Sequence, residues 1–174
     1  LIALSACLAG NIQNCLLRDY YEGAKKEAQE LLDIFGEGNF FLEIQDHGIP
    51  EQREVNRAVI KMSEELNIDL VATNDAHYIT REDAYMQDVL MCIQMNKTLD
   101  DSRDFAFETE EFYLKSGDEM AYLFPGLPEA LENTVKIAEK CNFEFEFDKL
   151  FLPAFYPPEN LSSKDYLEKL CRQG

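Results

Sequence analysis

DLVATNDAH, residues 69–77, decides how this chain folds. Val71 and Ala72 lie in an apolar run of strand length, too short for a buried helix. It ends in Asp75 and His77, two residues apart. Positions i and i+2 of extended backbone project to one side, so a carboxylate and an imidazole are expected together beyond the carboxyl end of a strand. Two earlier apolar runs finish in the same way, LIALSAC (1–7) in Cys7 and FFLEIQDH (40–47) in His47. A parallel α/β sheet collects the carboxyl ends of its strands at one edge, and ligands bind at that edge.

Helical segments fill the intervals. One is expected over 8–17. A second, over 20–35, carries Ala24, Ala28, Leu31, Leu32 and Phe35 at helical spacing and stops at Gly36. Strand two is expected over 39–45, followed by a turn through Asp46, His47 and Gly48. Pro50 then opens a helix to about residue 67, with its apolar stripe at Val55, Val59, Ile60, Met62 and Leu66. Strand three covers 68–73. Thr80 with Asp83 reads as a capping box opening a helix through Tyr85, Val89, Leu90, Cys92 and Ile93. The order βαβαβα predicts a parallel sheet with right-handed crossovers.

Beyond residue 95 the texture changes. Residues 97–111 are polar and weakly periodic, and are expected to form a long ordered loop. Ser116 with Glu119 is a second capping box, and Pro128 opens a helix carrying Ala130, Leu131, Val135, Ile137 and Ala138. Residues 143–147 alternate Phe with Glu, as in an edge strand or an extended arm. Three prolines between 152 and 159 read as a linker, and a last amphipathic helix follows Ser162. The expected division is one domain over 1–150 and a proline-rich linker with its helix over 151–174. Three strands cannot close a barrel, so the sheet needs further strands or another chain along its edges. The chain opens at Leu1, inside a strand and without Met, as a piece of something larger would.

The formal net charge is −18, from 34 acidic and 16 basic residues. That balance disfavours direct binding to duplex nucleic acid, which needs Lys and Arg to neutralise phosphate. Hydrophobic residues make up 46% of the chain, enough for a core. The five cysteines show neither CxxC spacing nor even pairing, and no leader segment is evident. Reduced thiols of a cytoplasmic protein are expected, without a membrane span.

Each candidate ligand has two readings. Asp75 and His77 are either half of a metal site, or a turn cap and a ring packed on Tyr78. Cys7 is either a metal-bound thiolate near a helix start or a small buried hydrophobe. His47, on the same side of strand two as Glu43 and Gln45, is a ligand, a support for one, or a turn residue. Asp46 is a turn former. There is no Walker loop, GxGxxG or GxSxG motif.

LSACLAG (4–10), FLEIQDHGIPEQ (41–52), VATNDAHYI (71–79), KTLDD (97–101), EFYLKS (111–116) and PEALENTVKIAEKCN (128–142) together resemble the alpha subunits of bacterial replicative DNA polymerase III, the C-family polymerases. The likeness runs on through LPAFYPP. It implies the carboxyl part of a PHP (polymerase and histidinol phosphatase) domain leading into the start of the polymerase core. The implied fold is α/β: part of a distorted (β/α) barrel, about three parallel strands with crossover helices, then a mostly helical extension. The family's metal ligands include an early His-x-His, a later Cys or His and a final Asp-x-His. In this sequence those last two map onto Cys7, Asp75 and His77, whereas Glu43 and His47 do not map securely. The early His-x-His is absent, as are the polymerase's own catalytic carboxylates, so no catalytic residue is assigned. Ala6 stands where relatives often carry Gly.

The resemblance implies Zn, Mn or Fe in the intact domain, with 3′–5′ exonuclease or phosphatase chemistry, and an inactive fragment whose site is open. A purely structural scaffold is the alternative. Implied partners are the rest of the alpha subunit, the sliding clamp, a proofreading subunit, and DNA through the intact polymerase.

Overall fold

The structure, a computed structural model, describes residues 1–100 and 107–174. Among them the chain runs β1 (Ala3–Leu4), α1 (Asn11–Leu17), α2 (Tyr21–Phe35), β2 (Phe40–Ile44), α3 (Pro50–Leu66), β3 (Leu70–Ala72), α4 (Ala84–Met95), α5 (Gly117–Leu123), α6 (Pro128–Lys140) and α7 (Ser163–Gln173). The sheet of the described residues has the order β1-β2-β3, and both pairings are parallel. Register is fixed by Ala3 opposite Phe40 and by Glu43 opposite Val71.

β2 is buried because it lies between two strands and under helices. Phe40, Phe41, Leu42 and Ile44 are all buried, the continuous apolar run expected of a parallel strand covered on both faces. Ile12 of α1, Ala24 and Ala28 of α2, Val55, Val59 and Met62 of α3, Met120 of α5 with Phe124 just after it, and Ala130 of α6 complete the core. The α3 stripe at 55, 59 and 62 is the i, i+4, i+7 face that its spacing predicts. Asn67 ends α3 in the left-handed region (φ 52°), where Asn costs less than most residues. α6 seats on β3, and its buried Asn133 donates to the Leu70 carbonyl at 2.8 Å.

Both capping boxes form. Thr80 N and Oγ1 donate to Asp83 Oδ2, at 2.9 and 3.0 Å, over a 3₁₀ turn (Arg81–Asp83) that leads into α4. Ser116 N and Oγ donate to Glu119 Oε2 at 2.8 Å, and Ser116 Oγ accepts from Glu119 N at 3.3 Å. These hydrogen bonds, with the Tyr113 hydroxyl, pull the Glu119 carboxyl down to about 2 from its ordinary 4.5.

One expectation narrows. Phe143, Phe145 and Phe147 form no strand among the described residues, so the edge-strand alternative for this segment falls away. The chain divides into two compact units, Leu1–Cys141 and Asn142–Gly174. In the second unit, Ser162 Oγ caps α7 by accepting from Asp165 N, and Lys169 pairs with Glu159 at 2.7 Å. Part of the loop expected over 97–111 falls at 101–106, outside the described residues.

Two measurements check this account. Leu42→Ala should cost about 2–5 kcal/mol in urea unfolding, whereas Ile34→Ala, on a residue 72% exposed, should stay within about 0.5 kcal/mol. Because the Glu119 carboxyl sits lower when folded, its stabilisation is present above the unfolded value and fades as pH falls toward 2. The stability gap between the wild type and Glu119→Ala should therefore narrow between pH 6 and pH 2. A gap independent of pH would contradict the capping role.

Candidate metal centre at the carboxyl edge of the sheet

Parallel pairing puts the residues that follow β1, β2 and β3 at one edge of the sheet. Cys7 lies in the loop after β1, part exposed, with its carbonyl accepting from Gly10 N at 2.8 Å. Ala6 before it has φ 67°, a conformation that favours glycine.

Beyond β3 two hydrogen bonds hold the chain. Thr73 N donates to the Ile44 carbonyl at 3.1 Å, and Asn74 Nδ2 donates to the Tyr113 carbonyl at 2.7 Å. Asp75 then takes φ 45°. His77 N donates to the Phe112 carbonyl at 2.8 Å, and Tyr78 forms an isolated parallel bridge with Tyr113. His77 Nε2 lies 3.3 Å from Asp75 Oδ1, with both side chains about two-fifths exposed. The two groups thus lie side by side, although Asp75 is not in the extended conformation on which the expectation from spacing rested. The His77 ring packs on Phe107 and Phe112, at 4.7 and 5.6 Å between centroids, rather than on Tyr78.

His47 is a fastener. It is buried, its Nε2 lies 2.6 Å from the Asn74 carbonyl oxygen, and its Nδ1 lies 2.9 Å from Gln52 Nε2. Gln52 Oε1 accepts from His47 N at 2.8 Å, which leaves its amide NH₂ to donate to Nδ1. The ring proton therefore belongs on Nε2, donated to Asn74. Phe112 stacks flat on the ring at 4.1 Å, and Thr109 Oγ1 donates to the His47 carbonyl. With both nitrogens engaged, His47 ties the end of β2 to the loop that carries Asp75 and His77. Asp46 forms the expected turn, accepting from Gly48 N at 2.8 Å.

On β2, Glu43 Oε1 accepts from the Thr73 hydroxyl and from Gln45 Nε2, the latter at 3.0 Å. Glu43 and Gln45, with Cys7 and Gln13, line a recess of about 10 Å³, room for one water or ion. A wider hollow of about 580 Å³, bounded in part by Arg53, Arg81, Tyr113 and Lys115, includes none of Cys7, Asp75 and His77.

As a donor set, Cys7, Asp75 and His77 supply sulfur, oxygen and nitrogen, a mixture that suits Zn²⁺, Mn²⁺ or iron. The Asp75–His77 couple fits a metal as a two-donor half-site. No group of three or more His, Cys, Asp or Glu side chains is assembled for a metal among the described residues, so Cys7 does not join that couple into one cluster.

Gln52, Gln13 and Phe112 escaped the sequence reading. Gln52 carried a signal: it sits three residues before Val55 on an otherwise apolar helix face. Phe112 carried none, since its role depends on a parallel contact between distant segments.

The comparisons with known proteins bear on this edge of the sheet. Residues 1–47 match the PHP domain family, and the three parallel strands with their helices are consistent with part of a PHP-type α/β barrel. The whole chain is similar to one stretch of DNA polymerase III subunit alpha. It is 42% identical to that of Treponema pallidum over 175 residues and 44% identical to that of Borreliella burgdorferi over 176, covering all of this chain in both cases. Against the Helicobacter pylori protein it is 45% identical over 97% of its length. The chain spans about 15% of the length of these relatives. No helix among the described residues is long and apolar enough to cross a membrane.

Gln52→Ala would leave the buried Nδ1 and N–H of His47 without partners, at a cost of about 2 kcal/mol. Urea unfolding should show that loss, and a change below about 0.5 kcal/mol would contradict the fastening role.

Proposed function

We propose that this chain is the PHP portion of a replicative DNA polymerase alpha subunit, and that its sheet edge contributes Cys7, Asp75 and His77 to a metal centre. The observation that carries the reading is the Asp75–His77 couple at 3.3 Å beyond β3, in a chain 42% identical over its length to a polymerase III alpha subunit. The polypeptide as a whole makes DNA in the cytoplasm, alongside a sliding clamp and a proofreading subunit. Nucleotide addition takes place elsewhere in it. The acidic surface here, at a net −18, leaves DNA contact to other parts.

A Zn, Mn or Fe ion bound at the edge supplies Lewis acidity toward a phosphodiester and an activated water, as in 3′–5′ exonuclease or phosphatase chemistry. The protein's part is orientation. The Phe112 carbonyl holds the backbone at His77, Phe107 and Phe112 set its ring plane, and His47 anchors the preceding peptide through Asn74. The remaining ligands come from polypeptide outside these residues. Alone, the chain binds metal poorly and does not cleave, because an open half-site lacks the opposing donors.

One set of observations favours a second reading, a scaffold that braces the polymerase core and docks a proofreading exonuclease. Phe143, Phe145, Phe147 and Phe151 are each at least three-quarters exposed, far more than a free surface ordinarily offers.

Release of nucleotides from a 3′ end by the complete polypeptide separates the two. On the catalytic reading, Cys7→Ala and His77→Ala each lower the rate by about a hundredfold or more. Wild-type cleavage in both variants would leave the scaffold reading standing.

A further inference from the structure

Between the turn that joins α1 to α2 and the first half of α3 lies a groove of about 390 Å³, to which none of Cys7, Asp75 and His77 contributes. Its floor is aliphatic. Leu16 and Leu17 come from the end of α1, and Val55 and Ala58 from α3. Leu17 is 43% exposed, so the floor is open to solvent rather than sealed. Tyr20 stands between two residues of the wall, Asp19 and Tyr21, and is itself exposed. Its ring is nevertheless held in place: a Cβ on Gly23 would lie 2.2 Å from it, so glycine is what lets the ring rest on α2.

The rim is anionic. Asp19, Glu51 and Glu54 border the groove, and all three are exposed. Among the described residues none of these carboxylates has an ion pair or a side-chain hydrogen bond, whereas farther along the same helices Glu65 pairs with Lys25 at 2.7 Å and Glu30 with Lys26 at 3.5 Å. Glu51 suits the first turn of α3, where the helix dipole favours an anion. Asp19 has the opposite setting. It follows the carboxyl end of α1, whose carbonyls repel a carboxylate, and it takes φ 56°. Uncompensated carboxylates around one groove also repel one another, and a cation supplied from outside relieves that repulsion.

We infer that this groove receives a basic amphipathic segment of a second protein, with aliphatic side chains on the floor and Lys or Arg against the rim. The combination selects the chemistry. An apolar floor alone would suit any hydrophobic partner, and carboxylates alone would attract any cation. The sign of the rim turns away nucleic acid and acidic peptides. The inference does not rest on the metal reading of the sheet edge, since no residue is shared between the two.

Fluorescence anisotropy tests it with the complete polypeptide that carries this segment, at physiological ionic strength. The probe is a labelled synthetic helix with leucines on one face and lysines flanking them. The wild type should bind it saturably. Asp19→Asn/Glu51→Gln/Glu54→Gln should weaken binding about tenfold to a hundredfold, and Leu17→Ser about tenfold. Glu129→Gln/Glu132→Gln/Glu144→Gln removes as much charge from exposed positions elsewhere, and should stay within about twofold of the wild type. On binding, amide hydrogen exchange should slow over 16–21 and 51–58.

Equal loss in the two charge variants would reduce the effect to general attraction by an acidic chain, and would overturn the inference. Wild-type binding by Leu17→Ser would overturn it too, since charge without the floor would then suffice. So would slowed exchange confined to other segments, or no saturable binding at all.

Discussion

Everything at the functional edge depends on the position of one strand. β2 pairs in parallel with β1 on one side and β3 on the other, and its buried Leu42 and Ile44 fix which way it faces. Slipping it by one residue would exchange the faces on which Leu42 and Ile44 and Glu43 and Gln45 lie. The loops carrying Cys7 and Asp75–His77 would then lose their common edge. Hydrophobic burial under α2, α3 and α6 is thus what aligns polar groups that make no contribution to the core themselves.

Polar fasteners finish what the core begins. His47 bonds Gln52 on one side and the Asn74 carbonyl on the other, and Phe112 covers its face. The loop after β3 is short of apolar anchors, so this ring and the backbone bonds to Phe112 hold Asp75 at its unfavourable φ. On the β1 side, Ser5 Oγ accepts from both Glu43 N and Gln13 Nε2, at 2.9 Å each. That hydroxyl joins α1 to β2 and places Gln13 beside the recess. The edge is asymmetric: a part-exposed carboxylate–imidazole couple beyond β3, and a small recess lined from β2, α1, α3 and the loop after β1.

Much of the fold could be read from residue order because the signals were local. Apolar runs of strand length, helix stripes at 24, 28 and 31 or at 55, 59 and 62, and the two capping boxes each depend on neighbours in sequence. That Asp75 and His77 lie together was legible from their spacing, but the conformation that brings them together was not: Asp75 sits at φ 45°, outside the extended region, and His77 N bonds the distant Phe112 carbonyl. What could not be read required knowing which distant backbone lies alongside. The bridge between Tyr78 and Tyr113 joins two segments with no strand pattern, and through it Phe112 reaches both histidines. The Phe and Glu alternation at 143–147 showed the converse, a strand pattern without a partner strand. Gln13 looked like an ordinary helix residue because the burial of its oxygen is a tertiary fact.

The central claim is that the carboxyl edge of β1–β2–β3 holds metal through side chains of this chain. Anomalous diffraction from crystals of the complete polypeptide grown with Mn²⁺ tests it most directly. The account predicts an anomalous peak at bonding distance from Asp75 and His77. Manganese peaks confined to other parts of the molecule, with those two side chains keeping only each other for company, would contradict it.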